Sequence, residues 1–117
     1  MNLNVLCNND DQLYAALSNK YVDEIIIEAD SVDNVLCGRP CSIIKFDVEG
    51  QERLAIDGAA DTIRAQLPSM IVAAYHRTED IFAVPLQVLS INPDYRIFLR
   101  HSACLPAWEV NYVFKRP

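Results

Sequence analysis

Glycine is nearly missing from this 117-residue chain: Gly38, Gly50 and Gly58 are the only three, and no G-x-G occurs anywhere. A turn that admits a ligand against bare backbone, free of Cβ atoms, is therefore not written into it. Long apolar runs are also absent. The longest, such as 25–27 and 70–75, fall far short of the ~20 residues that span a bilayer. The polar start, with Asn2 and Asn4, has no signal-peptide character, so a cytoplasmic protein is expected. Positive charge is scarce too: ten Lys and Arg against sixteen Asp and Glu leave a net charge of −6, unsuited to nucleic acid. Neither membrane nor nucleic acid is an expected partner. Among the four cysteines, Cys37 and Cys41 flank Gly38-Arg39-Pro40, but Cys7 and Cys104 make no second close pair and no histidine is near. That argues against the paired knuckles of a structural zinc site and leaves reduced, mostly buried thiols as the expectation, with a regulatory disulfide or a metal site as the alternatives.

What is present suits one globular domain over 1–117, with 51% hydrophobic and 22% charged residues and no repeat or linker. Leu3, Val5 and Leu6 suggest a short strand closed by Asn8-Asn9-Asp10, and Leu13, Leu17 and Tyr21 a helix over about 10–20. Ile25, Ile26 and Ile27 favour a buried strand, after which Asp30 can cap a short helix ending at Gly38 and Pro40. A second strand over 42–48 carries apolar side chains on both faces. Ile56, Ala59, Ile63 and Leu67 then mark one helix over about 51–66, with Glu52, Arg53 and Asp57 away from its apolar face. Residues 70–75 form a third strand. Thr78 caps a helix bent at Pro85, and Asn92-Pro93-Asp94 is a turn. Residues 95–101 and 108–114 alternate as an antiparallel pair, with Trp108 and Tyr112 filling the core or a subunit contact.

Strand–helix units followed by two closing strands imply a mostly parallel α/β sheet with helices on both faces. Chemistry in such sheets gathers beyond the carboxyl ends of the strands. Three clusters fall there: Asp47 with Glu49, His76 with Glu79 and Asp80, and Arg100 with His101.

The stretch Ile43-Ile44-Lys45-Phe46-Asp47-Val48-Glu49-Gly50, followed by Asp57-Gly58-Ala59, resembles the I-K-x-D-V-E-G … L-x-G-A segment of the FkbM methyltransferases. The resemblance continues in Tyr75-His76-Arg77-Thr78-Glu79-Asp80, Val84-Pro85-Leu86, Asn92-Pro93-Asp94-Tyr95, Leu99-Arg100-His101 and Trp108-Glu109. It implies a Rossmann-like three-layer sandwich: a truncated class I methyltransferase sheet, mostly parallel with a C-terminal antiparallel strand pair. It also implies S-adenosylmethionine as cofactor and a small hydroxylated substrate methylated on oxygen or nitrogen. The match covers roughly 30–114, the family's substrate-side half; residues 1–25 are atypical, and the glycine-rich cofactor turn has no counterpart. In the family's order the strand ending at Asp47 lies near the sheet centre, so its free edge needs the 25–27 strand, the Leu3–Leu6 strand or a second chain.

Each candidate residue has two readings. Asp47 serves as base or substrate anchor, or bonds backbone at a strand end; Glu49 accepts a substrate hydroxyl, or caps the next helix. His76 acts as acid or base, or closes a loop. Glu79 contacts substrate, or is with Asp80 a first-turn helix acid. Arg100 and His101 bind an anionic group, or Arg100 pairs with Glu109. Asp47, Glu49, His76 and His101 have the donor types for a divalent metal, but no close-spaced ligand pair, so no metal site is expected. Two functions fit: a methyltransferase, or a non-catalytic remnant acting as a binding or assembly module.

Overall fold

The computed structural model describes residues 30–101 and 110–117, together with the backbone of 4–7 and 24–27. The chain divides into two compact units, 1–30 and 31–117. In the first, strands β1 (Asn4–Cys7) and β2 (Glu24–Ile27) pair in parallel, Asn4 opposite Glu24 and Cys7 opposite Ile27. The expected helix over 10–20 lies outside the described residues, as do Cys104, Trp108 and Glu109.

The second unit is built on four strands: β3 (Ile43–Phe46), β4 (Ser69–Ala73), β5 (Arg96–His101) and β6 (Val110–Lys115), in the order β3-β4-β6-β5. β3 and β4 are parallel, and β6 runs antiparallel to both its neighbours, so β5 points the same way as β3 and β4. The antiparallel closing pair is as expected. β3 is the edge strand and has β4 as its ladder partner, while β2 pairs with β1.

One face of this sheet makes the core. Ile44, Phe46, Met70, Val72, Tyr112, Phe114 and Ile97 pack with residues from all four described helices. These are α1 (Val32–Leu36), α2 (Glu52–Asp57), α3 (Ala60–Gln66) and α4 (Asp80–Ile91). Two layers are therefore described where three were expected. β3 is not buried on both faces either, since Ile43 is 65% exposed. No described helix is long and apolar enough to cross a membrane.

Several local expectations are corrected. The single helix over 51–66 is two helices, broken at Gly58 and Ala59. α1 causes the break: Gly58 lies so close that a Cβ there would meet the Ser31 Cβ at 3.1 Å, and its carbonyl accepts the Asp33 N–H at 2.9 Å. The α1 cap is Ser31, whose side chain accepts the Asn34 N–H, rather than Asp30. The α4 N-cap is Glu79 rather than Thr78, with no side-chain cap bond. Pro85 sits inside α4 and cannot donate to the Ile81 carbonyl. The Tyr112 hydroxyl fills that gap, donating to Ile81 at 2.6 Å from β6. Cys37 and Cys41 are free, but Cys37 is exposed, not buried. It occupies a left-handed position, φ 47°, where α1 ends.

Candidate functional site

Two parallel neighbouring strands end side by side, about 4.8 Å apart. Phe46 is in register with Val72, so the residues leaving β3 (Asp47 to Gly50) face those leaving β4 (Tyr75 to Arg77). The β3–α2 turn is tight. Glu49 and Gly50 both have positive φ, 53° and 91°. A Cβ on Gly50 would come within 3.2 Å of the Arg77 Nε and 3.7 Å of the His76 Cβ. That glycine lets the turn lie directly on His76 and Arg77.

Three carboxylates surround the His76 imidazole, whose side chain is 12% exposed. Its Nδ1 is 2.7 Å from Glu52 Oε1, which also accepts the Val48 N–H at 3.1 Å. Its Nε2 faces Glu49 Oε2 at 3.4 Å and Asp47 Oδ1 at 3.9 Å. Asp47 is held by Lys45 at 3.1 Å on Oδ2 and by the Tyr75 hydroxyl at 3.1 Å on Oδ1. The Lys45 bond keeps its carboxyl below the usual carboxylate range; partial burial opposes this, and the Tyr75 bond and His76 reinforce it. The Tyr75 ring lies against the imidazole, centroids 4.2 Å apart.

Beneath the cluster the polarity is unbalanced. Glu52 is fully buried, and its Oε2 has no hydrogen-bond partner among the described residues. Asp80, equally buried, has neither oxygen bonded among the described residues. Burial above all, then the charges of Glu52 and Glu79, push its carboxyl above the normal value.

The structure thus brings together Asp47, Glu49 and His76. It does not bring in Glu79, which lies 4.0 Å from Arg77, or the residues of β5. Arg100 and His101 share the carboxyl edge of the sheet, but β6 separates β5 from β4, which puts them about 10 Å from β4 by strand spacing. Arg100 lines an open cavity of about 310 Å³ with Phe98, Val113 and Lys115. Glu52, read from sequence as lying on the polar face, is the group sequence reasoning missed. The signal was present: Glu52 is four residues before buried Ile56, as Asp80 is before buried Val84. Asp47, Glu52 and His76 also each place a donor atom within 4.8 Å of the others, although distant in sequence.

All three glycines fall among the described residues. Gly38 follows the left-handed end of α1, Gly50 lies against Arg77, and Gly58 against Ser31.

The second unit is thus a mixed α/β fold with a histidine–carboxylate cluster at the carboxyl ends of its two parallel strands. The family model for the methyltransferase FkbM domain matches residues 4–103, and the chain belongs to that family. Its fold is similar to the crystal structure of methyltransferase FkbM from Methylobacillus flagellatus KT, with a TM-score of 0.69 and 23% identity. The likeness covers 97% of this chain and 36% of that one, so the chain spans just over a third of that structure's length. No curated protein matches it.

Proposed function

We propose that residues 31–117 are the acceptor side of an FkbM-type methyltransferase, positioning a small hydroxylated molecule for methylation on oxygen or nitrogen. The observation that carries this reading is the imidazole clamped at Nδ1 by buried Glu52, with Nε2 turned toward Asp47 and Glu49. A carboxylate at Nδ1 favours the tautomer protonated there and leaves the Nε2 lone pair free to take an acceptor's proton. The imidazolium so formed is stabilised by the carboxylates on both sides. Asp47, ionised at neutral pH, accepts a bond from a second hydroxyl and fixes the acceptor's orientation.

S-adenosylmethionine, the methyl donor of this family, would be held by residues beyond those described or by a partner chain that also covers the β3 edge. The alternative is a binding or assembly module, favoured by the structural employment of all three glycines. Calorimetry with S-adenosylmethionine and light scattering after size exclusion separate the two. Methyl transfer that falls roughly 100-fold in His76→Gln supports the first reading. Transfer unchanged in that variant removes His76 as the base, and no heat at millimolar donor by a monomeric chain favours the module.

A further inference from the structure

We propose that the cluster at the ends of β3 and β4 is a divalent-cation site, with Asp47 Oδ1, Glu49 Oε2 and His76 Nε2 as ligands and Glu52 orienting the imidazole from behind. The two donor separations from Nε2 fit, and Glu49, 89% exposed, can swing its carboxylate toward Asp47. Nε2 lies 3.4 Å from Glu49 Oε2 and 3.9 Å from Asp47 Oδ1. Donors at about 2.1 Å from one ion stand ~3.0 Å apart when adjacent and ~4.2 Å apart when opposite, which brackets both distances. The Glu52 carboxylate stands within 4.8 Å of the Asp47 and His76 donor atoms and bonds Nδ1, as an outer carboxylate does behind a metal-bound histidine.

A second observation is independent of that spacing. Glu52 is fully buried and aimed into the cluster, yet its Oε2 has no hydrogen-bond partner among the described residues. Asp80, whose carboxyl senses the Glu52 charge, is buried with both oxygens unbonded. Against these acids stand Lys45, already committed to Asp47 Oδ2, and Arg77 and Arg53, whose charges offset the burial of Asp80 only in part. Undercompensated buried carboxylate is expensive, and a doubly charged ion at Nε2 helps to balance it. One imidazole with carboxylate oxygens suits Mn²⁺ or Zn²⁺ better than Ca²⁺.

Binding of the ion does not depend on the transferase reading; its use does. The two uses of Nε2 are alternatives: with the ion bound the lone pair is a ligand and the ion itself would hold an acceptor hydroxyl, whereas the base role proposed above belongs to the ion-free site. The test is a titration of the full chain with Mn²⁺, followed by electron paramagnetic resonance. The expected result is one ion per chain, with ¹⁴N coupling from His76 in the spin-echo spectrum. His76→Ala should abolish the coupling, Asp47→Asn weaken binding at least 10-fold, and Glu52→Gln weaken it by about 10-fold to 100-fold. Arg100→Ala, on β5, should leave it unchanged. A folded wild-type chain that takes up no Mn²⁺ at about 1 mM overturns the proposal. So does bound Mn²⁺ without ¹⁴N coupling, and neither of these needs a variant to fold. Mn²⁺ bound as expected by a monomeric chain that takes up no S-adenosylmethionine would count against the transferase reading and leave the site standing.

Discussion

Two aspartates in first turns of helices, Asp33 in α1 and Asp80 in α4, are treated in opposite ways. Asp33 reaches across to the start of α3 and accepts three bonds: from the Asp61 N–H at 3.0 Å, the Thr62 N–H at 2.8 Å and the Thr62 hydroxyl at 2.6 Å. Burial works against its charge, but the Thr62 and Asp61 bonds outweigh it and the carboxyl sits below its ordinary value. Asp80 is more deeply buried, accepts nothing among the described residues, senses the Glu52 charge and is pushed the other way. One carboxylate closes a helix end; the other loads charge beneath a cluster. Satisfied polar groups mark structure, whereas buried unsatisfied ones call for another explanation.

The largest expected effect comes from breaking the satisfied side. Asp33→Ala removes a cap and strands the Thr62 hydroxyl, and should lower unfolding stability by about 2 kcal/mol in urea titrations. The His76 imidazole resonances should stay where they are. Asp80→Asn should act in the opposite direction, raising stability by about 1 kcal/mol at neutral pH, because it removes a buried charge without a partner. If both variants destabilise alike, the contrast is wrong and Asp80 is an ordinary helix-start acid.

The pH dependence sharpens this. Both groups start from 3.8 in the unfolded chain. The folded value of Asp33 is lower, so its contribution is complete above 3.8 and disappears as pH falls through that lower value. The folded value of Asp80 is higher, so the wild type loses stability as pH rises from 3.8 through it, and Asp80→Asn does not. Urea midpoints from about pH 3 to about pH 8 should show the Asp33→Ala deficit shrinking toward acid and the Asp80→Asn gain growing away from it. Parallel profiles would mean that neither carboxylate is perturbed by its surroundings.

The sequence carried the strands more faithfully than the helices. β3 to β6 were legible because isoleucine, valine and aromatic side chains fall in short runs, unbroken or two-faced for β3 and β4 and alternating for β5 and β6, a local signal. The break at Gly58 was not, because Ser31, 27 positions upstream, causes it. The strand-end cluster could be placed at the right edge from the βα order alone. Its membership could not, since inserting β6 between β4 and β5 is a choice of sheet order that no local pattern records. That insertion carries Arg100 and His101 away. Glu52 and Asp80 were readable in principle as acids on apolar helical stripes, which a polarity-based reading sorts to the surface.

The smallest effect probes what holds the satisfied side together. Arg64 pairs with Asp61 at 2.8 Å, both side chains largely exposed, and its charge also reaches Asp33. An exposed pair of this kind is worth less than about 0.5 kcal/mol and fades with salt. Arg64→Ala should therefore shift the urea midpoint barely at all, and by less still in high salt. A loss approaching that of Asp33→Ala, erased by salt, would mean that the α1–α3 junction is held by diffuse charge. The bonds from Asp61 and Thr62 would then be incidental, and Asp33 and Asp80 would differ only in the sign of the field around them. The short, converging geometry at Asp33 argues for the bonds: three donors within 3.0 Å neutralise one carboxylate without needing Arg64.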